Sequence, residues 1–441
     1  MRYVIPITFL LLGLSLSSQL SAFCGLYVAK NSSQLYNKSS QVVYVREGNQ
    51  NIITITSDYQ GDVNNFAMII PVPALLERNQ IQVINKSVID RLNKYSAPRL
   101  VEYNDPNPCH VKKKYPLGTT PQRIINPITQ YNKAKNLGIT IEAKYAIDEY
   151  DILLLSAQES RGLVQWLDNE GYQLPKGAEK IIGSYLKQGM KFFVAKVNLP
   201  EFKHKAYTQL HPIQISYISK RFMLPIRLGI LNTESEQELI VYALTRKGQV
   251  RATNYRTIKL PTDIQLPPYI KEKNLFKRFY KTMFNKQVKK HKSKAIFLEY
   301  AWDMSWCAPC AAAPLSITEL KKLGVFWLDP DTQSASKEVY ISRLHLRYNK
   351  KSFPEDLMFQ ATSNQTNFQA RYTVYHPYTG TGQCRAGDKY FNNILPERFS
   401  EEAKHLSKLT HWNLKIIRSQ QIIPKHINYT EDDDWLDSIW D

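Results

Sequence analysis

The chain has 441 residues, of which 43% are hydrophobic and 12% aromatic, a composition that excludes a disordered polymer and is sufficient for sizeable cores. Its 58 Lys and Arg residues against 39 Asp and Glu residues give a net charge of +19, which favours contact with nucleic acid, anionic lipid or a charged envelope polymer. A solvated basic surface that keeps the protein soluble is the alternative interpretation.

The first residues have the pattern of a secretory leader. Arg2 supplies a positive start, Val4–Leu16 is almost uninterrupted apolar sequence, and Ser17–Ala22 is small and polar. The apolar core is about a dozen residues, short of the ~20 that span a bilayer. We therefore predict a signal peptide over residues 1–22, cleaved after Ala22, rather than an uncleaved anchor or a buried helix.

Export limits the interpretation of the rest of the chain. Phe23 occupies the position before Cys24 where a lipoprotein signal requires a small residue, so we expect no lipid on Cys24. No later stretch is apolar enough to span a membrane, and the acidic C-terminus Glu431–Asp441 ends without an anchor. The predicted location is periplasmic or secreted, where nucleic acid is a poor candidate partner and an anionic envelope component a better one.

Strand patterns dominate the first part of the chain. They predict strands, in chain order, at Gln41–Val45, Ile52–Thr56, Phe66–Ile70, Ile139–Ile147, Asp151–Leu155, Phe192–Val197, Ile213–Ile218, Met223–Leu231 and Glu238–Thr245. A long loop at Arg46–Asn51 joins the first two, and Pro71 stops the third. Helical spacing predicts helices at Ser87–Leu100 and around Leu163–Leu167 and Ala178–Leu186, with loop at Asp105–Pro121.

The order of these elements does not repeat as strand–helix units, so the predicted class is α+β. We expect a strand-rich N-terminal domain at residues 23–266 and a smaller mixed domain at 295–441, stabilised by disulfides. A basic amphipathic helix or linker at 267–294 is the candidate boundary between them.

That boundary segment is unusually basic. From Lys271 to Lys294, ten Lys and Arg residues accompany one Glu. Its apolar residues fall on one helical side: Leu275, Phe276, Phe279, Met283 and Phe284. Such a helix can lie on an anionic membrane or pack its apolar side on its own domain. We favour packing, because amphipathic helices are the ordinary surface elements of globular proteins.

The C-terminal region combines strands with a short helix. Strands are predicted at Ala295–Tyr300 and Val339–Arg347, where His345 is interpreted as a structural residue. Ser316 with Glu319 forms a capping box that starts a helix after Pro314, and Gly324 ends it.

All five cysteines are disulfide candidates in an oxidising compartment: Cys24, Cys109, Cys307, Cys310 and Cys384. One is left over after two bridges, and the sequence does not decide the pairing.

The run Trp306-Cys307-Ala308-Pro309-Cys310 is similar to the redox site of thioredoxin-like oxidoreductases. In that interpretation Cys307 is the nucleophile and Cys310 resolves the mixed disulfide, with Phe353-Pro354 as the neighbouring cis-proline loop. Against it, the following helix is short and starts after Pro314, so the thiols would lose much of its positive end. We favour a structural disulfide framework.

Other chemical sites are weakly indicated. Zinc held by Cys307, Cys310, His376 and Cys384 has suitable ligand types, but one Cys-x-x-Cys without a second pair is a weak signal, so no metal site is predicted. The chain lacks the phosphate-loop, nucleophile-elbow and zinc-protease motifs, and no cofactor is predicted. Glu431–Asp434, with Trp435 and Trp440, could bind a divalent cation, dock on the basic surface or remain a solvated terminus.

Six segments, in this order, resemble the exported bacterial proteins grouped as domain-of-unknown-function family 2330. They are Cys24-Gly-Leu-Tyr-Val-Ala-Lys30, Phe66-Ala-Met-Ile-Ile-Pro-Val-Pro73, Ser96-Ala-Pro-Arg-Leu-Val-Glu-Tyr103, Tyr150-Asp-Ile-Leu-Leu-Leu-Ser-Ala157, Gly189-Met-Lys-Phe-Phe-Val-Ala-Lys196 and Phe353-Pro-Glu-Asp-Leu-Met-Phe-Gln360. The resemblance covers essentially the whole mature chain and implies an envelope or secreted location, with Cys24 to Cys384 in one architectural unit. It implies no activity, substrate or catalytic residue. Some members carry a C-terminal anchor, a pattern from which this chain departs.

Two functions from different classes follow. The leading hypothesis is a non-catalytic structural or binding protein of the bacterial envelope. The alternative is a thiol–disulfide oxidoreductase that uses Cys307 and Cys310.

Overall fold

The computed structural model describes residues 26–30, 36–37, 40–56, 59–60, 66–109, 140–157, 159–204, 210–232, 236–272, 274–305, 313–328, 338–422 and 424. The predicted signal peptide, Cys24, the Cys307–Cys310 motif and the acidic segment from residue 431 lie outside the described residues.

Strands occur along most of the described chain. In chain order they are β1 (Leu26–Lys30), β2 (Tyr36–Asn37), β3 (Ser40–Glu47), β4 (Gln50–Thr56), β5 (Tyr59–Gln60), β6 (Phe66–Val72), β7 (Ile81–Val83), β8 (Arg99–Asn104), β9 (Thr140–Ile147), β10 (Tyr150–Ser156), β11 (Tyr172–Gln173), β12 (Lys191–Val197), β13 (Ile213–Ile218), β14 (Met223–Leu224), β15 (Gln237–Thr245), β16 (Val250–Ala252), β17 (Arg256–Lys259), β18 (Ile264–Gln265), β19 (Ala295–Asp303), β20 (Tyr340–Tyr348), β21 (Leu357–Ala361), β22 (Phe368–Gln369) and β23 (Arg371–His376).

Helices lie between and after the strands. They are α1 (Ser87–Ser96), α2 (Ser160–Asn169), α3 (Ala178–Lys187), α4 (Leu199–His204), α5 (Leu275–Lys290), α6 (Ile317–Lys322), α7 (Arg385–Lys389), α8 (Leu395–Thr410) and α9 (Leu414–Ser419). A π-helical turn, Tyr390–Ile394, joins α7 to α8. Helix accounts for 31% and strand for 35%, in several sheets, which confirms the α+β class.

The largest sheet has nine strands, in the order β17-β19-β20-β15-β3-β4-β13-β7, with β22 pairing β19. Its centre is an antiparallel pair of long strands, β15 and β20, in register from Gln237↔Tyr348 to Thr245↔Tyr340. Strands from both sides of the predicted boundary at 267–294 therefore share one sheet. Whether residues 23–266 and 295–441 fold independently stays a prediction.

A second sheet has six strands, in the order β11-β1-β6-β12-β10-β9. One of its faces packs on the large sheet, where Met68 and Phe193 share a core with Ile53 and Val241. The opposite face is covered by α2 and α3, whose Leu163, Leu167, Ile182 and Tyr185 are buried. Alternating side-chain directions along each strand allow one sheet to contribute to both cores.

Helices cover the other face of the large sheet. At one end α1 and α6 pack there through Leu92 and Leu320. At the other end α5, α8 and α9 pack on β19 and on a small sheet of order β18-β23-β8. In that small sheet β23 runs parallel to β8, from Arg371↔Arg99 to His376↔Asn104.

Four predicted boundaries were wrong. The loop at 46–51 is a two-residue turn, because Gly48 adopts a left-handed φ of 58° and lets the strands pair as far as Glu47↔Gln50. Helix α1 ends at Ser96 rather than at Leu100, since Ala97 precedes Pro98 and is extended.

The strand predicted at Met223–Leu231 is only the pair Met223–Leu224, because Pro225 follows and the chain then forms a 3₁₀ turn at Gly229–Asn232. Strand β6, in contrast, continues through Pro71, which pairs with Phe192, and ends one residue later. A proline removes only one donor, and near a strand end that loss is tolerated.

Candidate anion-binding surface

Helix α5 carries the charge that the sequence concentrates between residues 271 and 294. Its buried residues are Phe279, Met283, Phe284 and Val288; the adjacent Met283 and Phe284 each lie four or five residues from the other two, so all four point to one side. Lysines 289 and 290 lie in its last turn, where positive charge interacts favourably with the helix dipole. The helix thus packs its apolar side on the protein's own core.

The outer side of α5 is exposed and cationic. Its exposed basic residues, with those that follow the helix, are Lys277, Arg278, Lys281, Lys289, Lys290, Lys292 and Lys294. We call these seven residues the basic face. In the part of the chain that the structure describes, none of them forms an ion pair with a carboxylate. The 16 residues of α5 extend this charge over about 24 Å.

Helices α8 and α9 extend the positive surface beside α5. The Lys286 ammonium donates a hydrogen bond to the carbonyl of Lys408, and the Arg278 guanidinium lies 5.2 Å from the ring centroid of Trp412. These contacts hold the turn between α8 and α9 against α5. The exposed cations of this neighbouring surface are Lys408, Lys415 and Arg418.

Two contacts on the inner side of α5 fix it on the large sheet. The Phe284 ring stacks on the imidazole of His345, with centroids 3.9 Å apart and planes 8° apart. The Tyr280 hydroxyl donates a hydrogen bond to the Glu299 carboxylate. Because His345 lies on β20 and Glu299 on β19, the basic face is held by the two strands below it.

A buried ionic network lies beneath these contacts. Glu299 is fully buried and accepts hydrogen bonds from the Arg343 Nε and the His345 Nδ1, the latter at 2.6 Å. Arg343 also donates to the Asn93 side chain at 2.7 Å, which joins α1 to the same network. Buried charges of this kind require such pairing, since an isolated charge in the interior is strongly unfavourable.

The pairing within the network favours the charged forms of Glu299 and His345. Burial alone would raise the pKa of Glu299, but the positive charges of His345 and Arg343 lower it to about 2. Burial would lower the pKa of His345, but the charge of Glu299 and the contacts with Glu238 raise it to about 9. With exposures of 0%, 5% and 7% for Glu299, Arg343 and His345, the network positions α5 and does not reach a dissolved substrate.

A second buried cluster lies on α8, and the sequence interpretation missed it. Arg398 places its Nη1 2.7 Å from Asp105 Oδ2, to which the Tyr390 hydroxyl also donates. The Glu402 carboxylate is fully buried, 3.6 Å from Arg398 Nε, and neither of its oxygens accepts a hydrogen bond from a described residue. Burial raises its pKa to about 8, although Arg398 acts in the opposite direction. The sequence signal that could have revealed this cluster is the position of Glu402 among the apolar residues on one side of α8.

A disulfide joins two distant parts of the chain near this cluster. Cys109, after β8, is bonded to Cys384, before α7, with Cα atoms 6.0 Å apart and a sequence separation of 275. The zinc alternative therefore loses Cys384 as a ligand, and its His376 places Nε2 2.7 Å from Glu102. Among the described residues no group of three His, Cys, Asp or Glu could hold a metal.

The structure describes the chain on both sides of the Cys307–Cys310 motif, up to residue 305 and again from residue 313. Strand β19 ends at Asp303, and α6 begins at Ile317 with the predicted capping box between Ser316 and Glu319. The helix therefore starts several residues after Cys310. Cys307 and Cys310 themselves lie outside the described residues, so their role stays a prediction.

A pocket of about 220 Å³ is lined by residues that include Met190, Tyr217 and Met223. The exposed Lys220 and Arg221 also contribute to its lining. The Tyr217 hydroxyl lies 3.3 Å from that of Tyr44, and burial raises the pKa of both phenols. The described lining residues include no carboxylate or histidine that could act as a general base.

Comparison with known proteins identifies a protein family. A family model described as an uncharacterized protein conserved in bacteria (DUF2330) matches residues 18–360. The match covers most of the chain but ends before Cys384, so it is shorter than the predicted resemblance. No curated protein matches, and no solved structure does. Within the described residues, no helix is both long and apolar enough to cross a membrane.

Proposed function

Because the chain belongs to domain-of-unknown-function family 2330, whose description names no activity, we propose its function from its surface. The protein is an exported, non-catalytic binding protein that holds a linear polyanion of the bacterial cell envelope on its basic face. The leader pattern at residues 1–22 and the Cys109–Cys384 disulfide support export to an oxidising compartment.

One observation carries the binding proposal: the basic face presents seven exposed cations, none paired with a described carboxylate. Surface cations usually occur among acids of opposite sign, so a row without counter-charges favours an external anion. The geometry favours a polymer over a membrane. Phe279, Met283 and Phe284 are buried in the protein, so α5 has no free apolar side to insert into lipid.

The test is equilibrium binding of the full mature chain to fluorescently labelled long-chain polyphosphate. The variant carries Lys277→Gln, Lys281→Gln and Lys289→Gln, all at exposed positions. Each lysine near a polyanionic surface contributes about 1 kcal/mol, so we expect about 100-fold weaker binding.

A matched control removes the same charge from another surface. Lys176, Lys180 and Lys187 are exposed around α3, and their replacement by glutamine should weaken binding less than about threefold. Equal losses in the two triple variants would contradict a localised site. Binding to phosphatidylglycerol vesicles without binding to polyphosphate would contradict the polymer assignment.

The thiol–disulfide oxidoreductase remains the second candidate. The bridge between Cys109 and Cys384 supports it, because two of the three alternative partners of Cys307 and Cys310 are already paired. The start of α6 at Ile317 argues against it, because the positive end of that helix lies away from the thiols.

Differential alkylation with disulfide mapping separates the candidates. An oxidoreductase has an isolated Cys307–Cys310 bridge that is reduced under mild conditions, and Cys307 then alkylates rapidly near neutral pH. A bridge from Cys24 to either cysteine would exclude the redox function.

A further inference from the structure

The described chain ends on the helix pair that flanks the basic face. Trp412 lies under Arg278 of α5, and α9 follows directly after it. Helix α9 then runs back along α8, because the Gln421 side chain donates a hydrogen bond to the carbonyl of Phe399, nine residues or about 14 Å before Lys408 on α8. The segment that follows residues 422 and 424 therefore starts about this distance from the contact between Lys408 and Lys286 of α5.

That segment has the opposite charge. Residues 431–441 contain no Lys or Arg, and their acids are Glu431, Asp432, Asp433, Asp434, Asp437 and Asp441. Six residues, 425–430, connect it to the described chain and can span about 20 Å when extended. This reach exceeds the roughly 14 Å along α8 from Phe399 to Lys408, so the acids can return to the basic face without any change in the fold.

Both the surface beside α9 and the acidic segment also carry large apolar side chains. Ile416 is 60% exposed and Ile422 is 88% exposed, beside the cations Lys415 and Arg418. The acidic segment carries Trp435 and Trp440 among its acids. Large exposed apolar side chains next to charge are typical of a surface that is covered by a partner.

We propose that residues 431–441 dock on the basic face of the same chain, and that a polyanion binds by displacing them. The displacement by a polyanion rests on the proposed function, whereas the docking of residues 431–441 does not. An intramolecular partner has an effective concentration in the millimolar range, so weak contacts suffice to occupy the surface. The acidic segment then makes polyanion binding selective for ligands with a high charge density.

The test uses the full mature chain with the segment's first four acids replaced by amides: Glu431→Gln, Asp432→Asn, Asp433→Asn and Asp434→Asn. The control makes the same change in charge at exposed positions elsewhere: Glu159→Gln, Asp168→Asn, Glu179→Gln and Glu355→Gln. Two properties are measured at low salt. They are the acetylation rates of Lys277, Lys281 and Lys289 without any ligand, and the affinity for long-chain polyphosphate.

We expect the three lysines to react at least about threefold faster in the segment variant than in the control, because docked carboxylates shield them. We expect polyphosphate to bind about tenfold more tightly to the segment variant than to the control. Equal lysine reactivity in the two variants would overturn the docking, whatever the polyphosphate result. Faster reactivity with no polyphosphate binding by any form would keep the docking and reject the proposed function.

Discussion

The buried carboxylate of Glu299 provides a sharp test of how the basic helix is held. The substitution Glu299→Gln keeps the shape of the side chain and removes its charge. Arg343, which is 5% exposed, then loses its buried counter-ion, and His345 loses the carboxylate 2.6 Å from its Nδ1. Removing one partner of a buried ion pair costs about 3–5 kcal/mol, so we expect a loss of that size at pH 7.

The pH dependence gives a second, independent signature. In the folded protein the pKa of His345 is raised to about 9 from 6.5, so its stabilising contribution is complete below pH 6.5 and is lost as the pH rises to 9. One titrating group gives a slope of about 1.4 kcal/mol per pH unit, or about 3 kcal/mol across this range. Without the charge of Glu299 the pKa of His345 falls, and most of this alkaline loss disappears.

The assay is urea denaturation of wild type and variant at pH 6, 7.5 and 9, followed by far-ultraviolet circular dichroism. Glu159→Gln is the control, because Glu159 is exposed and makes no side-chain capping bond at the start of α2. A Glu299→Gln variant that loses less than about 1 kcal/mol and keeps the wild-type slope from pH 6.5 to 9 would refute the network as the anchor of α5.

Three further predictions concern other parts of the fold. Cys384→Ser should destabilise the protein by about 2–5 kcal/mol in urea, with Cys109→Ser adding nothing further, since either removes the bridge across 275 residues. In the wild type, the free energy of unfolding should fall by about 1.4 kcal/mol per pH unit between pH 4.5 and 8, because the raised pKa of Glu402 keeps the folded carboxyl protonated after the unfolded one has ionised. The Glu402→Gln variant should not show this fall. A difference in melting temperature between pH 5 and pH 8 that is the same in variant and wild type would contradict this prediction. Gly324→Ala should cost about 1–3 kcal/mol, because φ is +99° and the new Cβ would lie 2.6 Å from Ile52 Cγ2, and a neutral effect on the urea midpoint would show that the turn relaxes.

Much of the architecture followed from local sequence patterns. The α+β class and strands such as β13, predicted and observed at Ile213–Ile218, depend on alternation and β-branched residues, which are visible within a few positions. The capping box at Ser316 is similarly local. Boundaries failed where one residue decided them: Gly48 shortened a loop, and Pro98 ended α1 early.

In the candidate site, too, local features could be predicted from the sequence and tertiary ones could not. The basic, amphipathic character of α5 could be predicted because charge and apolar spacing lie in one segment. The network of Glu299, Arg343 and His345 could not, because it depends on the register of β19 against β20, a tertiary property. Glu402 was a missed local signal, an acid on the buried side of α8.

The measurement that tests the central claim most directly is the salt dependence of polyphosphate binding. Binding by release of counter-ions makes the logarithm of affinity fall linearly with the logarithm of salt concentration, by about 0.7 to 0.9 per neutralised phosphate. We predict that replacing Lys277, Lys281 and Lys289 by glutamine lowers this slope by about 2, whereas replacing Lys176, Lys180 and Lys187 leaves it unchanged. Equal slopes for the two variants would contradict binding through the basic face.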